Sequence, residues 1–254
     1  MHVADSATGW ALALFRALDV GPYTYACLHL VCLAAPLLLT FDPWVRFYRR
    51  LGWFMLALIF PAAYFILWDA TFTTWGVWHF NYRYVTGPSL WSLPWEEWLF
   101  FFSVPYACIF LADTFEVWFP IRPRPRLGRV LFLLLYGFLL LLLPLSWGLL
   151  YTRYTLLGLL VWMPLSAWWI GLGWWPHILR TWLVCLIPFF LVNGVLTALP
   201  VVVYNDAENL GIRLITIPAE DTLYGFLLFL MTFTLYKVLL RRYSGRATVS
   251  RPAA

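Results

Sequence analysis

Seven stretches of mostly apolar residues run through this chain, at about 22–40, 51–68, 93–112, 129–147, 153–171, 181–199 and 217–239. A helix needs roughly 20 such residues to cross a bilayer, and in that medium only helices and closed barrels satisfy their own backbone. The 254 residues therefore predict an all-α fold: a polytopic transmembrane helical bundle of about seven helices, with short connections and no sizeable soluble domain. Only 11% of the residues are charged, about half the share in a soluble domain. We treat 1–254 as a single membrane domain. Cys27, Cys32, Cys108 and Cys185 sit in apolar segments without the Cys/His spacing of a zinc or redox site, and read as small packing residues. Residues 1–21 lack the basic leader and apolar core of a secretory signal, so the amino terminus is expected to be retained.

The charges follow the spans. Arg46, Arg49, Arg50, Arg122, Arg124, Arg126, Arg129, Arg180, Lys237, Arg241, Arg242, Arg246 and Arg251 fall on one side, and Arg16, Arg83, Arg153 and Arg213 on the other. The positive-inside bias places the protein in a cell membrane with its amino terminus outside and its carboxyl terminus cytoplasmic. Basic residues so placed report topology, and no nucleic-acid partner is expected. Asp5, Asp19, Asp69, Glu96, Glu97, Asp206, Glu208, Glu220 and Asp221 gather at the opposite, outer end.

A shift of 124 residues, without gaps, lays the chain over itself. Asp69 falls on Asn193, Thr73 on Thr197, Asn81 on Asn205, Gly87 on Gly211, Pro94 on Pro218, Glu96 on Glu220, Glu97 on Asp221, Leu99 on Leu223 and Phe102 on Phe226. Such fixed spacing marks an internal repeat. It divides the chain into a first repeat at 20–120, a connector helix at 121–147, a second repeat at 148–242 and a disordered basic tail at 243–254. Four helices separate equivalent elements, so two parallel three-helix repeats are expected, related by an axis along the membrane normal.

Both copies carry a Pro-x-acid-acid motif, Pro94-Trp95-Glu96-Glu97 and Pro218-Ala219-Glu220-Asp221, at the start of an apolar helix. Proline and acids in a first helical turn are favourable on structural grounds alone. Duplication at one depth points further, to a functional centre at the seam between the repeats. A carboxyl group in apolar surroundings resists ionisation and can serve as a general acid. Residues 68–91 interleave aromatic rings with Asp69, His79, Asn81 and Arg83, as an interfacial belt does, and such rings can also face a cation. His79 is the one histidine expected near the acids; His29 and His177 read as isolated.

Other chemistries fit less well. Gly171-Leu172-Gly173 lacks the third glycine of a dinucleotide loop, so neither flavin nor NAD is expected. Lys237, the only lysine, lies at the basic end of the last span, which argues against a retinal Schiff base. The segment Asn205 to Asn209 hints at an acidic diphosphate-and-magnesium motif but lacks the later acids and a counterpart in the other copy.

The runs WDATFTTWGVWHFN, SLPWEEWLFFFSVPYACIF, NDAENLGIR and IPAEDTLYGFLLFLM resemble the integral-membrane lycopene cyclase family over roughly residues 20–240, in the form that fuses two small units in one chain. The resemblance implies a non-redox isomerase that folds the linear ends of lycopene into β-ionone rings, giving β-carotene through a monocyclic carotenoid, with no cofactor. It also implies a lipid-soluble carotenoid substrate, surrounding membrane lipid, and contact with other carotenoid-pathway enzymes. On that footing Glu96 and Glu220 are expected as proton donor and partner, with Glu97 and Asp221 tuning them or accepting the leaving proton. Asn81 and Asn205 would orient the carboxyls or brace the outer backbone, and Asp69 and Arg213 would complete the polar shell. Trp95 and Trp98 would shield the cation, and Tyr224 would support the substrate. Cyclisation of a C50 carotenoid or of one end only, proton-coupled transport, and pigment binding without turnover stay open as alternatives.

Overall fold

The structure, a computed structural model, describes residue 9, residues 12–120 and residues 122–243. The expectations for Asp5, Arg246, Arg251 and the tail at 244–254 lie outside the described residues. A helix stands at each apolar run: α1 (Thr24–Leu39), α2 (Leu51–Thr74), α3 (Trp95–Trp118), α4 (Pro125–Leu145), α5 (Leu150–Ile170), α6 (Trp175–Ala198) and α7 (Ala219–Tyr243). A short helical stretch at 12–16 precedes them. The chain is thus an all-α membrane bundle.

Six of these helices are long and apolar enough to cross a membrane, and α5 is not among them. Its opening turn, Tyr151-Thr152-Arg153-Tyr154-Thr155, is polar because it faces the acids of the second motif: Tyr151 and Thr152 are buried and donate hydrogen bonds to Asp221 and Glu220. Helices α2 and α3 outrun the apolar stretches that mark them, which carries Asp69 onto α2 and Asp113 and Glu116 onto α3.

The repeat is visible in the fold. Helices α2 and α3 begin 124 residues before α6 and α7. Within the repeats α1 packs on α3 and α5 on α7; across the seam α2 packs on α7 and α3 on α6. The α5–α7 approach is close enough that a Cβ at Gly158 would lie 2.5 Å from the Leu227 side chain. Connector α4 buries only Gly128 and Leu139, so its flank is left to lipid.

At the acid end each repeat contributes one strand to a shared ribbon. β1 (Trp78–Phe80) pairs antiparallel with its own counterpart, which we label β4 (Val202–Tyr204) for its place in the chain, in the register Trp78↔Tyr204, His79↔Val203 and Phe80↔Val202. That register is symmetric about His79 and Val203, and it continues as Asn81 N–H to Val201 O (2.9 Å) and Asn205 N–H to Val77 O (2.8 Å). A local two-fold axis therefore passes through the ribbon. Each repeat then folds a tight hairpin, β2 (Ser89–Leu90) with β3 (Leu93–Pro94) and β5 (Arg213–Leu214) with β6 (Ile217–Pro218). Gly87 (φ 113°) and Gly211 (φ 68°) start the two hairpins from a backbone conformation that glycine adopts without steric cost.

Candidate active site

The axis meets a small cavity, about 50 Å³, between the ribbon and the helices. Its wall is built from equivalent positions in the two halves: Asp69 and Asn193, Glu97 and Asp221, Phe100 and Tyr224, Val104 and Leu228, Trp78 and Val202, Phe80 and Tyr204. Three carboxyl groups, those of Asp69, Glu97 and Asp221, are buried against it.

Their hydrogen bonds differ in kind. Asp221 is met by two phenols, with Tyr151 donating to Oδ1 at 2.6 Å and Tyr204 to Oδ2 at 2.8 Å. Both oxygens thus have donors without a proton of their own. Glu97 takes one phenol, Tyr25 donating to Oε2 at 2.5 Å, and Asp69 takes the Trp78 indole N–H on Oδ1 at 2.5 Å. Asp69 and Glu97 line the same cavity, and the buried Asp69 Oδ2 has no hydrogen-bond partner. Two carboxylates offer only acceptors, so such a pair gains a hydrogen bond only when it holds a proton. The second half lacks such a pair, because Asn193 replaces the aspartate and donates its amide to Phe189 O at 3.2 Å. Tyr204 lies outside the spans, and burial, with Asp221 beside it, pushes its phenol well above the ordinary range. It remains a donor at any physiological pH.

Glu96 and Glu220, the residues expected to exchange the proton, do not line the cavity. They stay buried and staple the hairpins: Glu96 Oε1 accepts from the Thr86 N–H and hydroxyl (both 2.8 Å), and Glu220 Oε1 accepts from Leu210 N–H (2.7 Å) and Thr152 (2.6 Å). Thr86 and Leu210 are equivalent positions, so the staple is itself repeated. A first-turn acid either reaches back to a preceding N–H or points across the helix into the seam, and the two adjacent acids divide those tasks. Glu96→Ala and Glu220→Ala each leave a partly buried N–H unpaired, and each is expected to cost about 1–3 kcal/mol of stability in denaturant unfolding.

The supporting residues separate as well. Tyr224 and Asp69 reach the cavity. Asn81 and Asn205 brace backbone instead of carboxyls, with Asn81 Oδ1 accepting from Arg83 N–H and the Asn205 amide donating to Gly76 O. Arg213 pairs with Asp206 and lies over the Tyr204 ring at 5.5 Å, so it does not reach the cavity acids. Asn209 and Arg213 hold the exposed Asp206 below its usual carboxyl range. Trp95 and Trp98 are tied to Thr86 and Leu90 O on the outer surface, and the rings that line the cavity include Trp78, Phe80, Phe100, Tyr151, Tyr204 and Tyr224. His79 points outward from β1. His29, read as isolated, stacks on Tyr25 at 5.0 Å between ring centroids and meets Ser103 at 2.9 Å.

A second polar cluster occupies the other end of the bundle. Asp113 receives Arg50 (3.0 Å), Lys237 (3.4 Å) and the Tyr236 hydroxyl (2.5 Å), and Glu116 receives Lys237 (2.5 Å) and faces His177 (3.4 Å). Lys237 is therefore buried inside an ion network instead of lying in the basic flank. Its amine is committed to two carboxylates, which leaves it unsuited to a Schiff base.

The profile of the family described as lycopene cyclase matches residues 22–115 and again 146–239, two segments that start 124 residues apart. Searches of curated proteins and of solved structures return no match. The doubled match reproduces the doubled fold, and with it the chain belongs to the lycopene cyclase family, as an integral-membrane carotenoid cyclase.

Proposed function

We propose that the chain is a lycopene β-cyclase whose acid is the Asp69–Glu97 pair and whose base is Asp221. The observation that carries this assignment is the difference in hydrogen bonding within one cavity: beside Glu97, Asp69 keeps a buried oxygen without a donor, while Asp221 is already supplied with two. The pair adds its proton to the terminal double bond of the polyene, leaving a tertiary cation. The neighbouring alkene attacks that carbon, a carbon–carbon bond closes the ring, and a ring proton passes to Asp221. Proton gained equals proton lost, so the product is an isomer of the substrate and no electron carrier is needed. Transfer of the recovered proton between the two sides of the cavity resets the site.

The surroundings suit this sequence. A general acid contributes about 10²- to 10⁴-fold when positioned on the reacting atom. Water must be kept from the cation, and the cavity lies beneath an aromatic lid formed by Trp78 and Tyr204 of the ribbon. The faces of those rings and of Tyr224 stabilise positive charge without acting as bases. Asn81 and Asn205 hold the lid in register. The acid end would face outward and the basic end the cytoplasm, in a cell membrane.

Expression in a lycopene-accumulating host tests the assignment. Pigment carrying β-ionone rings at one and then both ends is expected, and unchanged lycopene beside verified membrane-inserted protein contradicts it. A longer C50 product, or a one-ring end point, appears in the same mass and absorption analysis.

A further inference from the structure

An acid pocket of about 50 Å³ holds little more than a terminal group, and a carotenoid is many times longer. A second cavity, about 380 Å³, lies between α1, α3 and α6, in the size range of small-molecule sites, about 300–1,000 Å³. Its lining is almost wholly apolar, and it shares Val104, Phe189 and Asn193 with the acid pocket. The two spaces therefore meet at that wall. On the other side the cleft reaches the surface of the bundle, where Val31, Leu39 and Leu191 are exposed on spans that would face lipid.

We infer that this cleft holds the polyene body of the substrate, which enters sideways from the bilayer and threads one end past Val104, Phe189 and Asn193 to the acids. The inference rests on the cyclase assignment above. The occupant follows from the wall the two cavities share: a long apolar chain matches the cleft's lining and its membrane-facing mouth, and its end lies against the acid pocket. The repeat supplies an internal comparison. At the positions related to these by the repeat the small residues are replaced by large, buried ones, Ala35 by Leu159, Ala107 by Met231 and Val192 by Trp68. Core side chains fill the place where a second cleft would be. One mouth serves one acid site, so each visit closes one ring, and the one-ring carotenoid has to leave and return reversed before the second closes.

The test uses purified full-length protein in lipid nanodiscs with lycopene, read by bound pigment and by the induced circular dichroism of the polyene. Ala35→Trp plugs the exposed mouth, and Ala107→Met imports the second repeat's side chain into the cleft. Each is expected to reduce bound pigment and ring formation at least tenfold without lowering the unfolding temperature, whereas Glu97→Gln keeps the pigment signal and loses the rings. If both cleft variants bind lycopene like the wild type, the cleft inference is overturned even when rings form and the cyclase assignment stands. If the wild type binds lycopene, the cleft variants do not, and no ring forms, the cleft stands and the cyclase assignment falls.

Discussion

Glu97→Gln is expected to lower ring formation by about 10²- to 10⁴-fold, the contribution of a positioned general acid, while leaving a folded, pigment-binding protein. The amide keeps the size of the side chain and the acceptor for the Tyr25 hydroxyl, which donates at 2.5 Å in the native site. What it removes is the carboxyl group facing Asp69, and with it the proton the two can share. Asp69→Asn removes the other half of the pair and is expected to fall in the same range. Tyr25→Phe leaves the carboxyls in place and removes one donor, so a smaller loss is expected. Glu96→Gln and Glu220→Gln retain an acceptor for the Thr86 and Leu210 N–H groups and do not touch the cavity; turnover within a few-fold of wild type is expected of both. Pigment extraction with quantified membrane protein measures the whole series. Loss of activity in Glu96→Gln with full activity in Glu97→Gln would reverse the assignment.

The largest effect on stability is expected at the opposite end. Asp113 is fully buried and meets Arg50, Lys237 and Tyr236, while Lys237 is 5% exposed. Removing one partner of a buried ion pair costs about 3–5 kcal/mol where it strands the other. Asp113→Ala takes the carboxylate from Arg50 and Tyr236 while Lys237 keeps Glu116, so a loss near the lower end of that range is expected, read by denaturant unfolding in detergent, with the turnover of the surviving folded fraction little changed. Asp113 and Lys237 occupy equivalent positions of the two repeats, so the ion pair closes the seam with opposite charges at one repeated position. Asp113→Leu combined with Lys237→Leu removes both members of the pair, and its cost should be less than the sum of the single changes. Additive costs would show that the two residues do not act as a pair.

Much of this architecture is legible in the sequence because a bilayer leaves few options. Apolar runs of the right length must be helices, and a fixed offset of 124 residues must be a repeated unit. The family resemblance read from the paired motifs is matched by a profile covering both repeats. The direction in which each acid points was not legible. Glu96 and Glu97 are neighbours of the same chemistry, and a rotation of about 100° per residue along the helix sends one to the hairpin and the other to the seam. Nothing in the motif says which. Tyr25 and Tyr151 were hidden for a related reason, since they lie some seventy residues from the acids they serve and stand among many other aromatic residues. The polar opening of α5 was the available signal: a span that begins with Tyr-Thr-Arg-Tyr-Thr has something polar to meet. Asp113 and Glu116 were missed because the apolar run stops before the helix does.

Infrared spectroscopy of the purified protein tests the central claim most directly, since the carbonyl stretch of a protonated carboxylic acid stands apart from that of a carboxylate. A protonated-acid band that shifts in heavy water and disappears in both Glu97→Gln and Asp69→Asn, yet persists in Glu96→Gln and Glu220→Gln, is the predicted result. A band that survives both of the first two substitutions, or no such band at neutral pH, contradicts the shared-proton account.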